Sequence, residues 1–216
     1  MKDVLTIIMA GGEGKRLMPL TRDRSKPAVP FGGIYRLIDI PLSNCINSQL
    51  YKILVFPQYK SQSMVDHLEE GWNIFSADLG HYLRIAAPQQ RMGKEWYRGT
   101  ADCVRQNLYL VERERPRYVL ILGGDHVYKM DYMAFREYHE KNDADVSVAL
   151  LEVDRSQASE FGIAEVDNHF RIVAWEEKPL EPKPIPDDPE RSLASMGIYL
   201  FRTDLLLDLL NKTDHD

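Results

Sequence analysis

A glycine-rich segment near the amino terminus contains the residues best suited to phosphate chemistry. Three glycines, at positions 11, 12 and 14, directly follow the apolar run Val4–Ala10. Glycine permits positive φ angles and close approach of a ligand to the backbone, and successive backbone N–H groups can surround phosphate oxygens. Arg16 and Lys26 add cations that neutralise a polyphosphate. The pattern predicts a phosphate-binding loop; the alternative is a surface turn with incidental basic residues. The predicted loop residues are Ala10, Gly11, Gly12 and Gly14.

This glycine segment matches neither of two common phosphate-binding motifs. The pattern GxxxxGK[ST] fails because Gly14 and Lys15 are followed by Arg16, and because the spacing back to the earlier glycines is too short. The pattern GxGxxG fails because position 17 is Leu17 rather than glycine. The loop therefore has to be interpreted from its own residues.

Asp125 is the carboxylate best placed for a divalent metal. It follows the apolar run 118–122 and the pair Gly123-Gly124, so we expect it at the carboxyl edge of a sheet. Mg²⁺ prefers oxygen ligands, and for this reason we expect the neighbouring His126 to pack or to position rather than to ligate. The alternative for Asp125 is a cap of a turn or of the next helix.

Short apolar runs and segments with helical periodicity alternate along most of the chain. This alternation predicts an α/β fold with a mostly parallel, Rossmann-like sheet flanked by helices in three layers. The predicted strands are 4–10, 52–56, 118–122 and 144–151, and the predicted helices are 42–48, 61–70, 100–114 and 132–141. Ligands of such sheets bind beyond the carboxyl ends of the strands, which is where the glycine loop and Asp125 are expected.

The last third of the chain has a different pattern. Two apolar runs, 161–166 and 170–175, flank Asp167-Asn168-His169, which indicates a β-hairpin. A strand is predicted over 195–201 and a helix over 203–210, with Thr203 as its N-cap. Residues 11–33 are expected to be an extended loop, and 71–98 show no clean period. We expect one domain over 1–216.

Composition narrows the functional class. The net charge of −6 disfavours nucleic acid as the main partner, because binding to its backbone usually requires a basic surface. No apolar run approaches the length that crosses a membrane, and the first apolar stretch is too short for a signal peptide; the cytoplasm is therefore the expected compartment. Cys45 and Cys103 lack CxxC or zinc spacing and are expected to be reduced thiols packed in or near the core.

The glycine segment and its continuation, GGEGKRLMPLT…KPAVPFGG, resemble the signature of the sugar-phosphate nucleotidyltransferases, whose fold is glycosyltransferase-A-like. That family usually has threonine where this chain has Lys15. Further segments are similar to the ADP-glucose pyrophosphorylase branch. They are 36–39, 42–48, 58–59, 88–91, 96–102, 124–129, 161–162, 176–179 and 194–199.

This resemblance implies transfer of the adenylyl group of ATP to glucose 1-phosphate, giving ADP-glucose and pyrophosphate for glycogen or starch synthesis, with Mg²⁺ as the cofactor. It implies catalytic roles for Arg16, Lys26 and Asp125. Two alternatives remain open: a thymidylyl-, uridylyl- or guanylyltransferase acting on a sugar 1-phosphate, or a catalytically incomplete nucleotide-binding regulatory domain. A nucleotide-preference assay separates the first alternative from the adenylyl reading.

The resemblance also assigns binding residues. Gln58 resembles the residue that reads adenine. Nucleotide-binding roles further fall on Gln89, Gly99 and Thr100. Contacts to the sugar phosphate fall on Tyr97, Gly162, Glu177, Lys178 and Ser195. The alternatives are core packing for Tyr97 and a solvated loop position for Lys178.

The chain differs from the family pattern in three ways, and each difference changes what we expect of its activity or regulation. The family has a second metal-binding aspartate well after the Glu-Lys-Pro segment, and it has a C-terminal left-handed β-helix that helps to form a homotetramer; neither has a match in these 216 residues. We therefore expect a catalytic domain truncated at its C-terminus, with little activity by itself. Asp23 stands where some members have a lysine linked to activator binding, so activation by a phosphorylated sugar is not expected.

Overall fold

The computed structural model describes residues 3–12, 14–87, 97–186 and 188–212. The chain forms two compact units. One is drawn from Met1–Val146 and Leu200–Asp216, and the other is Ser147–Tyr199. The prediction of one domain did not anticipate this division, which falls inside two of the strands.

The first unit is built on four parallel strands in the order β5-β4-β1-β6. These strands are β1 (Val4–Ala10), β4 (Lys52–Pro57), β5 (Tyr82–Ile85) and β6 (Tyr118–Gly123). In the register of β1, Ile7 lies between Leu54 and Ile121. The central strands are nearly continuous apolar runs because both of their faces are covered. A short antiparallel hairpin of β2 (Pro30–Phe31) and β3 (Tyr35–Arg36) follows the glycine segment.

Six α-helices lie among the described residues. They are α1 (Asp39–Asn47), α2 (Gln62–Gly71), α3 (Thr100–Gln106), α4 (Leu108–Glu114), α5 (Tyr132–Lys141) and α6 (Thr203–Lys212). A hydrophobic core joins side chains of strands and helices, among them Ile7, Phe56, Val111, Val119 and Leu206. The predicted α/β class, with a sheet that is mostly parallel at its centre and flanked by helices, is confirmed.

The prediction of one helix over 100–114 is wrong in one respect, because the segment forms two helices, α3 and α4, which are separated by Asn107. The Asn107 backbone leaves helical geometry at φ −112° and ψ 11°. Its buried side chain donates to the carbonyl of Cys103 over 2.8 Å and to the hydroxyl of Tyr97 over 3.0 Å. Asparagine commonly competes with helical hydrogen bonding in this way. Periodicity alone did not reveal the break, because apolar residues continue on both sides of it.

The second unit contains an antiparallel arrangement of β8 (Gly162–Val166) with both β9 (Ile172–Glu177) and β10 (Arg191–Arg202), and β7 (Val146–Asp154) pairs with β10. The predicted hairpin between β8 and β9 is confirmed. One oxygen of Asp167 accepts hydrogen bonds from the amides of His169 and Arg171, each within 2.9 Å, and Phe170 adopts a positive φ of 58°.

Two predictions about single side chains differ in outcome. Thr203 is the first residue of α6 rather than a side-chain cap, and its buried Oγ1 has no hydrogen-bond partner within the described part of the chain. Cys45 and Cys103 are both buried and free, as expected of packed thiols. In the ranges that the structure covers, no helix combines the length and apolar character needed to cross a membrane.

Candidate functional site

The glycine loop leaves the carboxyl end of β1 and turns sharply at Gly14. This residue is left-handed, with φ 66° and ψ 40°. Its carbonyl accepts hydrogen bonds from the Leu17 amide over 2.9 Å and from the Thr21 hydroxyl over 2.9 Å. A Cβ at position 14 would lie 2.9 Å from side-chain carbons of both Thr21 and Lys26. Only glycine suits this position, because any other residue meets both the φ penalty and the contact.

Lys26 links the glycine loop to the acidic residue after β6. Its backbone amide donates to the carbonyl of Gly12 over 3.0 Å, and its ammonium group donates to a carboxylate oxygen of Asp125 over 3.0 Å. A Cβ placed on Gly12 would itself be 3.6 Å from Asp125. The structure thus brings the loop, the lysine and the aspartate together at the carboxyl edge of the sheet.

Asp125 is ionised at neutral pH. The pKa of its carboxyl is lowered to about 2, first by a hydrogen bond from His126 and then by the hydrogen bond and charge of Lys26, while burial opposes the shift. The His126 ring lies 3.4 Å from Asp125 through Nδ1 and stacks on the Tyr128 ring at 4.7 Å between centroids. A third of the Asp125 side chain remains exposed, so the carboxylate is open to an approaching ligand.

The donor set at Asp125 fits one kind of metal site. Within the described ranges, no three or more His, Cys, Asp and Glu side chains are grouped as a metal cage. Mg²⁺ is commonly held by one or two carboxylates together with substrate phosphates rather than by a cage of protein ligands. One ionised, partly exposed carboxylate beside a phosphate-type loop is compatible with that coordination.

Arg16 lies in the short 3-10 turn Lys15–Leu17 directly after the glycines, and its side chain is exposed. The turn is continued by a hydrogen bond from the Leu20 amide to the Leu17 carbonyl over 2.8 Å. Arg16 therefore belongs to the rim of the loop, which is a position from which a flexible cation can reach a bound anion.

Gln58 lies beside the first glycine of the loop. It immediately follows β4, and its Nε2 donates to the backbone carbonyl of Tyr97 over 3.1 Å. A Cβ on Gly11 would come within 2.7 Å of Gln58 Oε1, so the absence of a side chain at position 11 leaves room for this amide. The loop, Lys26, Asp125 and Gln58 therefore occupy neighbouring positions at one edge of the sheet.

The remaining predicted residues of this unit are placed differently. The Tyr97 ring is 7% exposed and packs in the core, with its hydroxyl accepting from Asn107; this placement favours the packing alternative over a substrate contact by the ring. Gly99 and Thr100 are exposed at the start of α3. Gln89 lies outside the described residues.

In the second unit, three predicted residues lie together at the paired ends of β8 and β9. Gly162 pairs with Glu177, and a Cβ on Gly162 would be 2.9 Å from a carboxylate oxygen of Glu177 and 2.7 Å from the Trp175 ring. Lys178 has a positive φ of 48°, and its ammonium lies 3.9 Å from Glu177. Ser195, on β10, accepts from the Gly197 amide over 3.1 Å.

Two residues near the glycine loop were not predicted as part of the site. Thr21 is buried and closes the turn at Gly14. Asp39, for which a salt bridge to Arg36 or to another base was the alternative considered, accepts from the Arg36 amide, from His67 and from the Trp72 indole, each over 2.8 Å. The signal for both was their place in segments that resemble the family.

The chain is similar to proteins of one known family. The family described as nucleotidyl transferase matches residues 5–216. Glucose-1-phosphate adenylyltransferase 2 of Vibrio vulnificus (strain YJ016) is 51% identical over all of this chain and 54% of its own length. The glucose-1-phosphate adenylyltransferases of Rhodopirellula baltica and Koribacter versatilis are 49% and 48% identical over all of this chain and 50% and 52% of their own lengths. The chain spans about half the length of the curated relatives it matches.

Proposed function

Because this chain belongs to the nucleotidyl transferase family, we propose that it transfers the adenylyl group of ATP to glucose 1-phosphate, giving ADP-glucose and pyrophosphate. The observation that carries the proposal is the contact of Lys26 with Asp125 beside the glycine loop. Relatives named glucose-1-phosphate adenylyltransferase, about half identical over the whole chain, support the choice of base and sugar.

The reaction requires charge stabilisation more than proton transfer. An oxygen of the sugar phosphate attacks the α-phosphorus of ATP, and pyrophosphate leaves. Since this nucleophile is already an anion, no strong general base is needed, and the main task is to hold two polyanions together in line. Lys26 and Arg16 would neutralise phosphate oxygens of the nucleotide. Asp125 would hold Mg²⁺, which supplies further positive charge where pyrophosphate departs.

The nucleotide would be bound by the loop after β1 and by residues at neighbouring strand ends. The amides of Ala10, Gly11, Gly12 and Gly14 would surround its phosphates. Gln58 would read the adenine edge through its amide group, which offers both a donor and an acceptor. By family resemblance, Gly99, Thr100 and Gln89 would also contribute to binding of the nucleotide.

The sugar phosphate would be bound by residues of Ser147–Tyr199. Lys178 would act as a point charge for the phosphate, and Glu177 would accept hydrogen bonds from sugar hydroxyls. Gly162 leaves the space that the Glu177 carboxylate occupies, and Ser195 would offer a further hydroxyl. For the whole protein we propose a cytoplasmic homotetramer acting in glycogen or starch synthesis.

A nucleotide-preference assay tests the proposal. With the complete enzyme, glucose 1-phosphate and Mg²⁺, we expect ATP to give a kcat/KM at least about tenfold above UTP, dTTP and GTP, because a site that hydrogen-bonds one base leaves polar groups unpaired with another. Pyrophosphate release is the measurement. Faster reaction with UTP or dTTP would replace the adenylyl assignment with another transferase, and tight ATP binding without turnover would favour a regulatory domain.

Replacing Lys178 tests the sugar side. We expect Lys178→Gln to raise the KM for glucose 1-phosphate about tenfold or more while the KM for ATP stays within about twofold, since a lost charge-assisted contact costs about 1.5–3 kcal/mol. Lys183→Gln, the same change at another exposed lysine of that unit, is the matched control. A raised ATP KM with an unchanged sugar KM would remove Lys178 from this role.

A further inference from the structure

Helix α1 and the residues just before it are hydrogen-bonded to the two segments that carry Lys26 and Asp125. The helix contains all but the last residue of the segment 42–48, which resembles the family but has no role in the proposed chemistry. Buried polar side chains lie on it, among them Asp39 at 4% and Asn44 at 7% exposure. Burial of an amide or carboxylate is unfavourable unless it is hydrogen-bonded, so the partners of these side chains indicate their purpose.

The residues just before α1, 36–38, are bonded to the segment that carries Lys26, and the first residue of α1 is bonded to them. Asp39 accepts from the Arg36 amide, and the amides of Leu37 and Ile38 donate to the carbonyls of Val29 and Pro27 over 3.1 and 3.0 Å. Arg36 also donates from its guanidinium to the Ala28 carbonyl over 3.2 Å. Two carbonyls of the turn that starts at Lys26, those of Pro27 and Ala28, are thereby bonded to the residues that lead into α1.

The last turn of α1 is bonded to the loop that carries Asp125. This loop, 124–131, has no regular secondary structure. At its start, the Gly124 amide donates to the Met9 carbonyl over 2.9 Å. In its middle, the Tyr128 carbonyl accepts from Asn44 Nδ2 over 3.1 Å. At its end, the Tyr132 amide donates to Ser48 Oγ, just beyond α1, over 2.9 Å.

We propose that Asn44 is a positioning residue for Asp125, and that α1 sets the separation of Asp125 from Lys26. Asp125 lies between two of the three anchors of its loop, and the anchor on its far side is the Asn44 side chain. Without the Asn44 donor, the Tyr128 carbonyl loses this side-chain partner, and we expect the loop to shift from its present position. The Asn44 amide donates to a backbone carbonyl of the loop, so it would act through the loop backbone.

The kinetic consequence rests on the proposed function, in which Asp125 holds a divalent cation. Residues that orient a ligating carboxylate typically change metal affinity by about tenfold to a hundredfold when they are replaced. We expect Asn44→Ala to weaken binding of Mn²⁺ in the presence of α,β-methylene-ATP about tenfold, measured by electron paramagnetic resonance with no turnover. In the same variant kcat should fall by a similar factor, while the KM for glucose 1-phosphate should change little.

Two further variants make the test specific. Asn47 lies on the same helix but is exposed. We therefore expect Asn47→Ala to leave Mn²⁺ binding and turnover unchanged. Ser48→Ala removes the hydrogen bond at the end of the loop, and we expect it to weaken Mn²⁺ binding as well. It replaces Asn44→Ala in the test if that variant is too unstable to purify. Wild-type Mn²⁺ binding in folded Asn44→Ala, or an equal loss in Asn47→Ala, would overturn the inference.

A crystal structure of Asn44→Ala separates this inference from the proposed function. We expect Asp125 to move out of hydrogen-bond distance of the Lys26 ammonium, which in the wild type is 3.0 Å away. An unchanged pair overturns the positioning role whatever the protein binds. If Asp125→Asn itself binds Mn²⁺ as the wild type does, the proposed metal role fails, while the displaced pair still supports the role of Asn44.

Discussion

In the otherwise complete enzyme, Asp125→Asn is expected to lower turnover about a hundredfold to a thousandfold, the range seen when one group that stabilises transition-state charge is removed. The substitution keeps the size of the side chain but removes a charge that is present throughout the neutral range, because the pKa of this carboxyl is about 2. It also leaves Lys26 without its ionic partner. Pyrophosphate release under saturating ATP and glucose 1-phosphate is the measurement.

The fold should survive this substitution, since a third of the Asp125 side chain is exposed and water can solvate Lys26. Asp131→Asn is the matched control: it removes the same charge in the same loop, and it keeps an oxygen to accept from the Met133 amide. We expect near wild-type turnover from that control. Normal turnover in Asp125→Asn would remove Asp125 from the metal role.

Gly14→Ala is expected to reduce turnover about a hundredfold, the effect of misplacing a catalytic group by about 1 Å. The new Cβ would lie 2.9 Å from Lys26 Cβ and from Thr21, closer than these atoms can approach, so we expect the loop or Lys26 to shift and the contact of Lys26 with Asp125 to be disturbed. The left-handed backbone should also make the variant about 1–2 kcal/mol less stable. Turnover and denaturant unfolding measure the two effects separately.

Gly80→Ala distinguishes displacement of Lys26 from backbone strain. Gly80 has a similar positive φ of 72°, and a Cβ there meets nothing within 4 Å. We expect this control to lose a comparable amount of stability and to keep its turnover. Equal loss of turnover in both variants would show that strain, and not the position of Lys26, accounts for the effect at Gly14.

The predictable elements are those whose buried faces produce a regular pattern of apolar residues in the sequence. The run Val4–Ala10 was predicted as a strand with the bounds it has, because both faces of a central strand require apolar residues. The helix Tyr132–Lys141 was likewise predicted with its observed bounds. By contrast, the edge strand Tyr82–Ile85 was missed, since its residues are only partly buried and include Arg84.

The convergence of the glycine loop with Lys26 and Asp125 followed from two general rules: parallel strands end at one edge, and glycine with basic residues suits phosphate. Roles that came from family resemblance remain predictions. What could not be predicted depends on contacts distant in sequence. Asn44 bonds a carbonyl 84 positions away. The Tyr97 ring lies in the core, where Asn107, ten positions along the chain, donates to its hydroxyl, and no sequence pattern revealed that contact.

The two cysteines offer a way to measure opening of the first unit. Cys45 and Cys103 are buried in the unit that holds the glycine loop, and burial raises the pKa of both thiols, whereas Ser147–Tyr199 contains no cysteine. Alkylation therefore requires an opening of the first unit, because only an exposed thiolate reacts readily. The rate of cysteine alkylation therefore measures how often the first unit opens, and it gives no information on the opening of Ser147–Tyr199.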